Sequence, residues 1–170
     1  GELLQKMINA ALLAISGILL YVAYAFKNVR FGFAAIVALL HDTIIVFGAF
    51  SLLGHFKGVP VDALFVTAVL TVMSFSVHDT IVVFDRIREK RRADARENLM
   101  TIINHALGQT LTRSVNNSVT ILLMLCALFL LGGETTRWFV FALFMGTITG
   151  TYSSPFVAAP VLYELEKRKR

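Results

Sequence analysis

Charge and cysteine are both scarce in this sequence. Only 16% of its 170 residues are charged, against roughly 25% in an ordinary soluble domain. Those charges are clustered, so long stretches carry almost none. A separate soluble domain is thereby excluded, because the longest polar segment covers only 86–107. The single cysteine, Cys126, lies in an apolar stretch. It has no partner for an internal disulfide and reads as a packed core thiol. Proline occurs three times and low-complexity tracts are missing, so no linker between domains is marked.

What the chain has in quantity is apolar sequence, at 56% hydrophobic residues and a mean hydropathy of +0.72. About 20 apolar residues in a helix cross a hydrocarbon core of about 30 Å. Five such stretches fit, at 4–26, 33–53, 62–84, 107–131 and 138–162. The fold class that follows is all-α, a polytopic membrane helix bundle forming one transmembrane domain in a lipid bilayer. The net charge is +5 and the pI about 9.7. The basic residues sit at the ends of the spans, where membrane topology accounts for them and a nucleic-acid partner is not needed.

The loop charges predict an orientation. Lys27 and Arg30 separate spans one and two. Arg86, Arg88, Lys90, Arg91, Arg92 and Arg96 separate spans three and four, and Lys167 to Arg170 close the chain. The opposite loops hold only Lys57 and Arg137. The excess of Lys and Arg places the first set in the cytoplasm, with the C-terminus inside and Gly1 outside. The first span ends in Lys27 and Arg30 rather than in a small-residue cleavage site, so it does not read as a signal peptide. An outside N-terminus without a leader predicts an earlier span, and an external domain, before Gly1. Between spans three and four, Leu99, Ile102, Ile103, Ala106 and Leu107 recur at helical spacing over 93–107. This predicts a short amphipathic helix on the cytoplasmic surface. Stretches 54–60 and 132–137 read as short external turns.

A charged side chain at mid-membrane costs roughly 2.5–3.5 kcal/mol on insertion scales, so each one demands a reason. Asp42 follows His41 in span two, Asp79 follows His78 in span three, and Arg113 lies in span four. The segments His41–Phe47 and His78–Phe84 agree at six of seven positions, a repeated motif. Helical rise places all three charges about two turns from the cytoplasmic side. Arg113, Asn117 and Thr120, with Asn116, form a polar stripe along span four. One reading is a proton relay: burial opposes the charged form of a carboxylate, a nearby arginine favours it, and a group balanced between the two titrates in the working range. The other is a static Asp–Arg pair that fastens helices together. Metal binding by His41 and His78 lacks a third ligand at good spacing. In the last span, Gly146, Gly150 and Ser154 recur every fourth residue and predict close helix packing. Pro155 and Pro160 predict a kink near its inner end.

The run Ser76–Glu89, SVHDTIVVFDRIRE, closely resembles the signature of the SecF branch of the SecD/SecF family. Gly1-Glu2-Leu3, Thr110-Leu111-Thr112-Arg113-Ser114, Leu130-Leu131-Gly132-Gly133 and Gly150-Thr151-Tyr152-Ser153-Ser154 agree with it in order and spacing. The family often has Asn at the position of His78. The resemblance implies the last five of six spans, with an external domain lost between the first two. It implies a proton-motive-force-driven accessory subunit of the Sec protein translocase in the bacterial inner membrane, within the resistance–nodulation–division superfamily. Its implied partners are SecD, the SecYEG channel, the SecA ATPase and exported unfolded polypeptides. The family's proton-pathway carboxylate maps to Asp79 and its arginine to Arg113, with Asp42 and His78 as further relay candidates.

An alternative in the same superfamily is a proton-coupled exporter of small molecules or lipids, which would need large external domains that are not visible. An intramembrane enzyme would need a nucleophile and base or a ligand triad, and neither is recognisable, so no catalytic activity, cofactor or metal is expected. A static scaffold predicts that neutralising Asp79 harms folding rather than activity. The orientation is directly testable. Thirteen of sixteen basic residues fall on one side when Arg113 is counted with it, so a cysteine at position 57 should react with impermeant reagents from outside the cell only. Labelling from the cytoplasmic side alone would reverse the topology.

Overall fold

The computed structural model describes residues 2–94 and 96–167, and every regular element among them is helical. Gly1 and the tail residues Arg168, Lys169 and Arg170, used above to orient the chain, lie outside the described residues. The elements are α1 (Glu2–Phe26), α2 (Val29–Lys57), α3 (Ala63–Ala93), α4 (Leu99–Leu131), α5 (Glu134–Ser153), a π-turn (Ser154–Ala158) and α6 (Ala159–Lys167). Four of them, α1 to α4, are long and apolar enough to cross a membrane. The fifth predicted span is built in three pieces, α5, the π-turn and α6.

Short polar side chains stop and start the helices. Lys27 takes a left-handed φ of 50° after α1, and the Asn28 side chain then accepts from Arg30 N at 3.1 Å to cap α2. Gly58, at φ 64°, closes α2 by donating to the Gly54 carbonyl. Asp62 accepts from Phe65 N at 2.9 Å and Asn98 from Met100 N at 3.2 Å, opening α3 and α4.

The separate surface helix predicted over 93–107 is not formed. Ala93 ends α3, and from Leu99 onward the segment is the start of an unbroken 33-residue α4. At about 1.5 Å per residue, α4 is about 50 Å long, so part of it must project beyond a core of about 30 Å. The apolar spacing had the right face and the wrong partner. Ile102, Ile103 and Ala106 are buried against Phe84, Ile87 and Leu162 rather than laid along a bilayer surface. Nothing between Leu107 and Arg113 interrupts the backbone ladder, since one glycine, Gly108, is not enough to stop a helix held by tertiary contacts.

The core has two apolar clusters with a polar layer between them. One cluster, at the basic end, joins Phe26, Phe31, Phe84, Ile87, Ile102 and Leu162. Its three phenylalanines stack and meet edge-on at 5.2–6.2 Å between centroids. The other joins Leu39, Val46, Phe50, Phe65, Met73 and Val77. Along α3 the second cluster ends at Val77 and the first begins at Val83. Asp79 and Thr80 lie in the gap, with Ser76 at its edge.

Helices α3 and α5 pack most extensively, with α5 also touching α2 and α4. A Cβ on Gly146 would overlap the Val72 side chain, and one on Gly150 would lie 3.3 Å from Ser76 Cβ. One step further, Thr80 and Ser154 hydroxyls meet at 3.0 Å. Positions 72, 76 and 80 therefore face 146, 150 and 154, and the two helices run parallel. The predicted small-residue stripe is thus the α3 contact. Pro155 and Pro160 are absorbed by the π-turn, in which Ala159 N–H reaches back to the Ser154 carbonyl. The helix continues past both prolines instead of breaking.

At the basic end, Glu166 gathers three elements. Its carboxylate, 5% exposed, accepts from Arg91 at 2.6 Å, Arg30 at 3.3 Å and Asn28 at 3.0 Å. Arg88 holds α1 there as well, donating to the Ala25 carbonyl at 2.9 Å and covering the Phe26 ring. Burial pushes the Glu166 carboxyl upward, but the bonds from Arg91, Asn28 and Arg30 more than reverse this and hold it below its ordinary 4.5.

Two outcomes are expected. Gly146→Ala should lower the thermal stability of the protein by about 1–3 kcal/mol through overpacking, and Val72→Ala should recover part of the loss. A melting curve unchanged by Gly146→Ala would show that α5 does not rest on Val72. Glu166→Gln should destabilise by about 1–3 kcal/mol at neutral pH. A depressed carboxyl contributes fully above its unfolded value and loses that contribution as pH falls through the folded one. The melting difference between wild type and Glu166→Gln should therefore narrow below pH 4.5.

Candidate functional site

The two copies of the His-Asp motif end up in different surroundings. Asp42 on α2 is 1% exposed. Its Oδ2 accepts from Ser76 of α3 at 2.5 Å and from Ser153 of α5 at 2.7 Å, and its Oδ1 lies 3.0 Å from His41 Nδ1. His41 Nε2 in turn lies 3.2 Å from the Tyr152 hydroxyl, with the two rings edge to face. Both oxygens of Asp42 are engaged, and the residue joins three helices in the polar layer.

Asp79 is half satisfied. Its Oδ1 accepts a short hydrogen bond from Ser114 of α4. Its Oδ2 is buried and, among the described residues, has no partner. A cavity of about 280 Å³ opens beside it, lined by His78, Asp79, Val82, Thr110, Arg113, Ser114 and Asn117. That volume is ample for several waters. Ser154 at the start of the π-turn stands beside the carboxyl without completing a bond to Oδ2.

The expected neighbours are thus brought together, with a different geometry. Arg113 shares the cavity with Asp79 but, among the described residues, forms no ion pair with it. His78 lines the same cavity while Asp42 lies apart, behind Ser76 and Ser153. Gly150 lets α5 approach Ser76 there, since a Cβ would lie 3.3 Å from Ser76 Cβ, tighter than an ordinary contact. Among the described residues no group of three His, Cys, Asp or Glu side chains is placed to hold a metal. Chemically, a buried carboxylate oxygen without a donor, open to a cavity that also holds a guanidinium, is suited to accept and release a proton.

Several contributors were not singled out from the sequence. Ser114 is next to Arg113, one position from a residue that was chosen. Ser76 and Ser153 lie inside the family-like runs but carry no charge, and nothing linked them to Asp42 until α2, α3 and α5 were packed. Ser118, which accepts from Thr151 at 2.6 Å, ties α4 to α5 in the same way. The polar stripe on α4 is present and mostly unburied: Thr112, Arg113, Asn116, Asn117 and Thr120 are all exposed.

Comparison with known proteins places the chain in a family. The family model described as protein export membrane protein SecD/SecF, C-terminal, matches residues 1–168. A protein translocase subunit SecF from Thermobaculum terrenum is 50% identical over 98% of this chain and 54% of its own length. One from Synechocystis is 40% identical over 92% of this chain and 49% of its own. The chain thus spans about half the length of these relatives. A crystal structure of SecDF in its super-membrane-facing form superposes with a TM-score of 0.89 at 39% identity. It covers 99% of this chain and 22% of its own. On this match over nearly its whole length, the chain belongs to the SecD/SecF family of protein export membrane proteins.

Proposed function

We propose that this chain is the membrane part of a proton-motive-force-driven accessory subunit of the Sec translocase, aiding polypeptide export across the bacterial inner membrane. The observation that carries the reading is Asp79: one oxygen held by Ser114, the other buried without a partner beside a cavity shared with Arg113. In this reading Asp79 takes up a proton from one side and gives it to the other. Arg113 stabilises the ionised state across the cavity without itself titrating. Loading and unloading alter the pull of Asp79 on Ser114, and hence the fit of α4 on α3. No bond in a substrate is made or broken, so the role is transport and not catalysis.

The exposed stripe of Thr112, Arg113, Asn116, Asn117 and Thr120 supports a partner in the membrane. An arginine and two asparagines facing lipid would be costly, so a second polytopic chain covering α4 is the natural solution. The relatives' name and the SecDF match favour SecD as that chain, with SecYEG, SecA and unfolded exported polypeptides as the wider assembly. The basic end of the bundle is cytoplasmic in this reading.

The test uses full-length protein with its partner in inside-out membrane vesicles. Asp79→Asn keeps the shape and cannot exchange a proton. Gradient-stimulated export should fall to the level seen without a gradient, while expression and assembly stay normal. Normal stimulation in Asp79→Asn would remove the proton-carrier role.

A further inference from the structure

The repeated motif leaves one carboxylate, Asp42, that the proposed proton step does not use. It is only 1% exposed, and its surroundings are as closed: Ser76 and Thr80 are 1% exposed, Ser153 and Ser154 0%. These hydroxyls form two rungs between α3 and α5. In the first, Ser76 and Ser153 both donate to Asp42 Oδ2, at 2.5 and 2.7 Å. In the second, one helical turn along α3 and one residue along α5, Thr80 and Ser154 meet at 3.0 Å. Ser154 is also the residue that stands beside the Asp79 carboxyl. It opens the π-turn, where the backbone leaves α-helical register and Pro155 removes a donor. The position of Ser154 is therefore not set by regular helix geometry alone.

We propose that Asp42 is the positioning residue of the Asp79 site: by accepting from Ser76 and Ser153 together it locks α5 onto α3, and this holds Ser154 on Thr80 next to Asp79. The proposal rests on the reading of Asp79 as proton carrier. Three features of the geometry require the lock. Helices α3 and α5 are parallel, so their end-on dipoles and charges do not hold them in register. Their interlocked contact, Val72 seated over Gly146, lies about two turns from the Ser153–Ser154 level, and past Ser153 the backbone leaves α-helical register. At that level the carboxylate of a third helix bonds to both, beside the direct Thr80–Ser154 contact. His41, bonded to Asp42 and facing Tyr152, orients the carboxylate from its other side. Charged and titratable groups near the pair are few. His78 and Arg113 face Asp79 from α3 and α4. His41 from α2 and Tyr152 from α5 face Asp42. The contact of α5 and the π-turn with α3 at this level is made by hydroxyls.

A positioning role and a carrier role make different predictions. The experiment uses full-length protein with its partner in proteoliposomes, with two readouts. One is gradient-stimulated export as a function of pH. The other is the infrared band of a protonated carboxyl, assigned to Asp79 by its loss in Asp79→Asn. Asp42→Asn replaces one acceptor with a donor that faces two hydroxyls, and it should keep gradient stimulation while displacing both pH midpoints by about half a unit or more. Ser153→Ala, which removes one rung bond and little volume, should displace them in the same sense and serves if Asp42→Asn does not fold. In a Ser154→Ala background, Asp42→Asn should add no further displacement, because its effect passes through Ser154. Midpoints unmoved in both Asp42→Asn and Ser153→Ala would overturn the proposal. So would loss of stimulation at every pH in a folded Asp42→Asn protein, which would make Asp42 a carrier. Intact stimulation in Asp79→Asn would instead remove the underlying proton reading, and the two failures are told apart by that variant alone.

Discussion

A carboxylate carried into a helix bundle at membrane depth has to be given donors or an outlet, because no bulk water is available to solvate it. This chain contains both solutions, within one polar layer, on two copies of the same short motif. Asp42 is given donors by three other side chains from its own and two further helices. Asp79 is given one donor and a cavity. The arrangement of α2, α3 and α5 follows from the first solution, since a single carboxylate can accept from Ser76 and Ser153 together only if α3 and α5 approach closely. Gly146 and Gly150 make that approach sterically possible, and the apolar clusters above and below the layer supply the burial that keeps it closed.

The helix that gains most from this is the last one. Its two prolines fall where it must both continue across the bundle and present Ser154 to α3. A π-turn satisfies both demands: the helix continues through it with the Ala159 N–H bonded to the Ser154 carbonyl, and it shifts the following residues around the axis. Beyond the turn, α6 returns to the basic end, where Glu166 receives Arg91, Arg30 and Asn28. The stretch from Ser154 to Glu166 thus connects the polar layer to a buried ion cluster through a short, continuous piece of helix.

By contrast, α4 is fastened along one side only. Ile102, Ile103 and Ala106 seat its first turns, Ser114 and Ser118 bond to α3 and α5, and the opposite face exposes both polar side chains such as Asn116 and apolar ones such as Val115 and Leu123. Its grip on α3 includes a bond to the very carboxylate whose protonation is proposed to change.

Periodicity and composition alone determined that the chain is a bundle of long apolar helices, because the requirement to hide backbone polar groups from lipid leaves little else. The repeated His-Asp motif, Arg113 and the Gly146–Gly150–Ser154 stripe also stood out, since charge and small size at membrane depth are visible without a structure. The likeness of the Asp42 and Asp79 segments was legible too, but their surroundings were not: two segments alike at six of seven positions meet different partners, Ser76 and Ser153 in one case and Ser114 in the other. The same limit explains the missing surface helix. Spacing at Leu99, Ile102, Ile103 and Ala106 identifies an apolar face but not what covers it, and the covering residues, Phe84, Ile87 and Leu162, are distant in sequence. Which helix ends meet, which hydroxyl reaches which carboxylate, and which oxygen is left without a partner depend on distances across the bundle. Those distances are set by packing among residues far apart in the chain, and only the tertiary structure decided them.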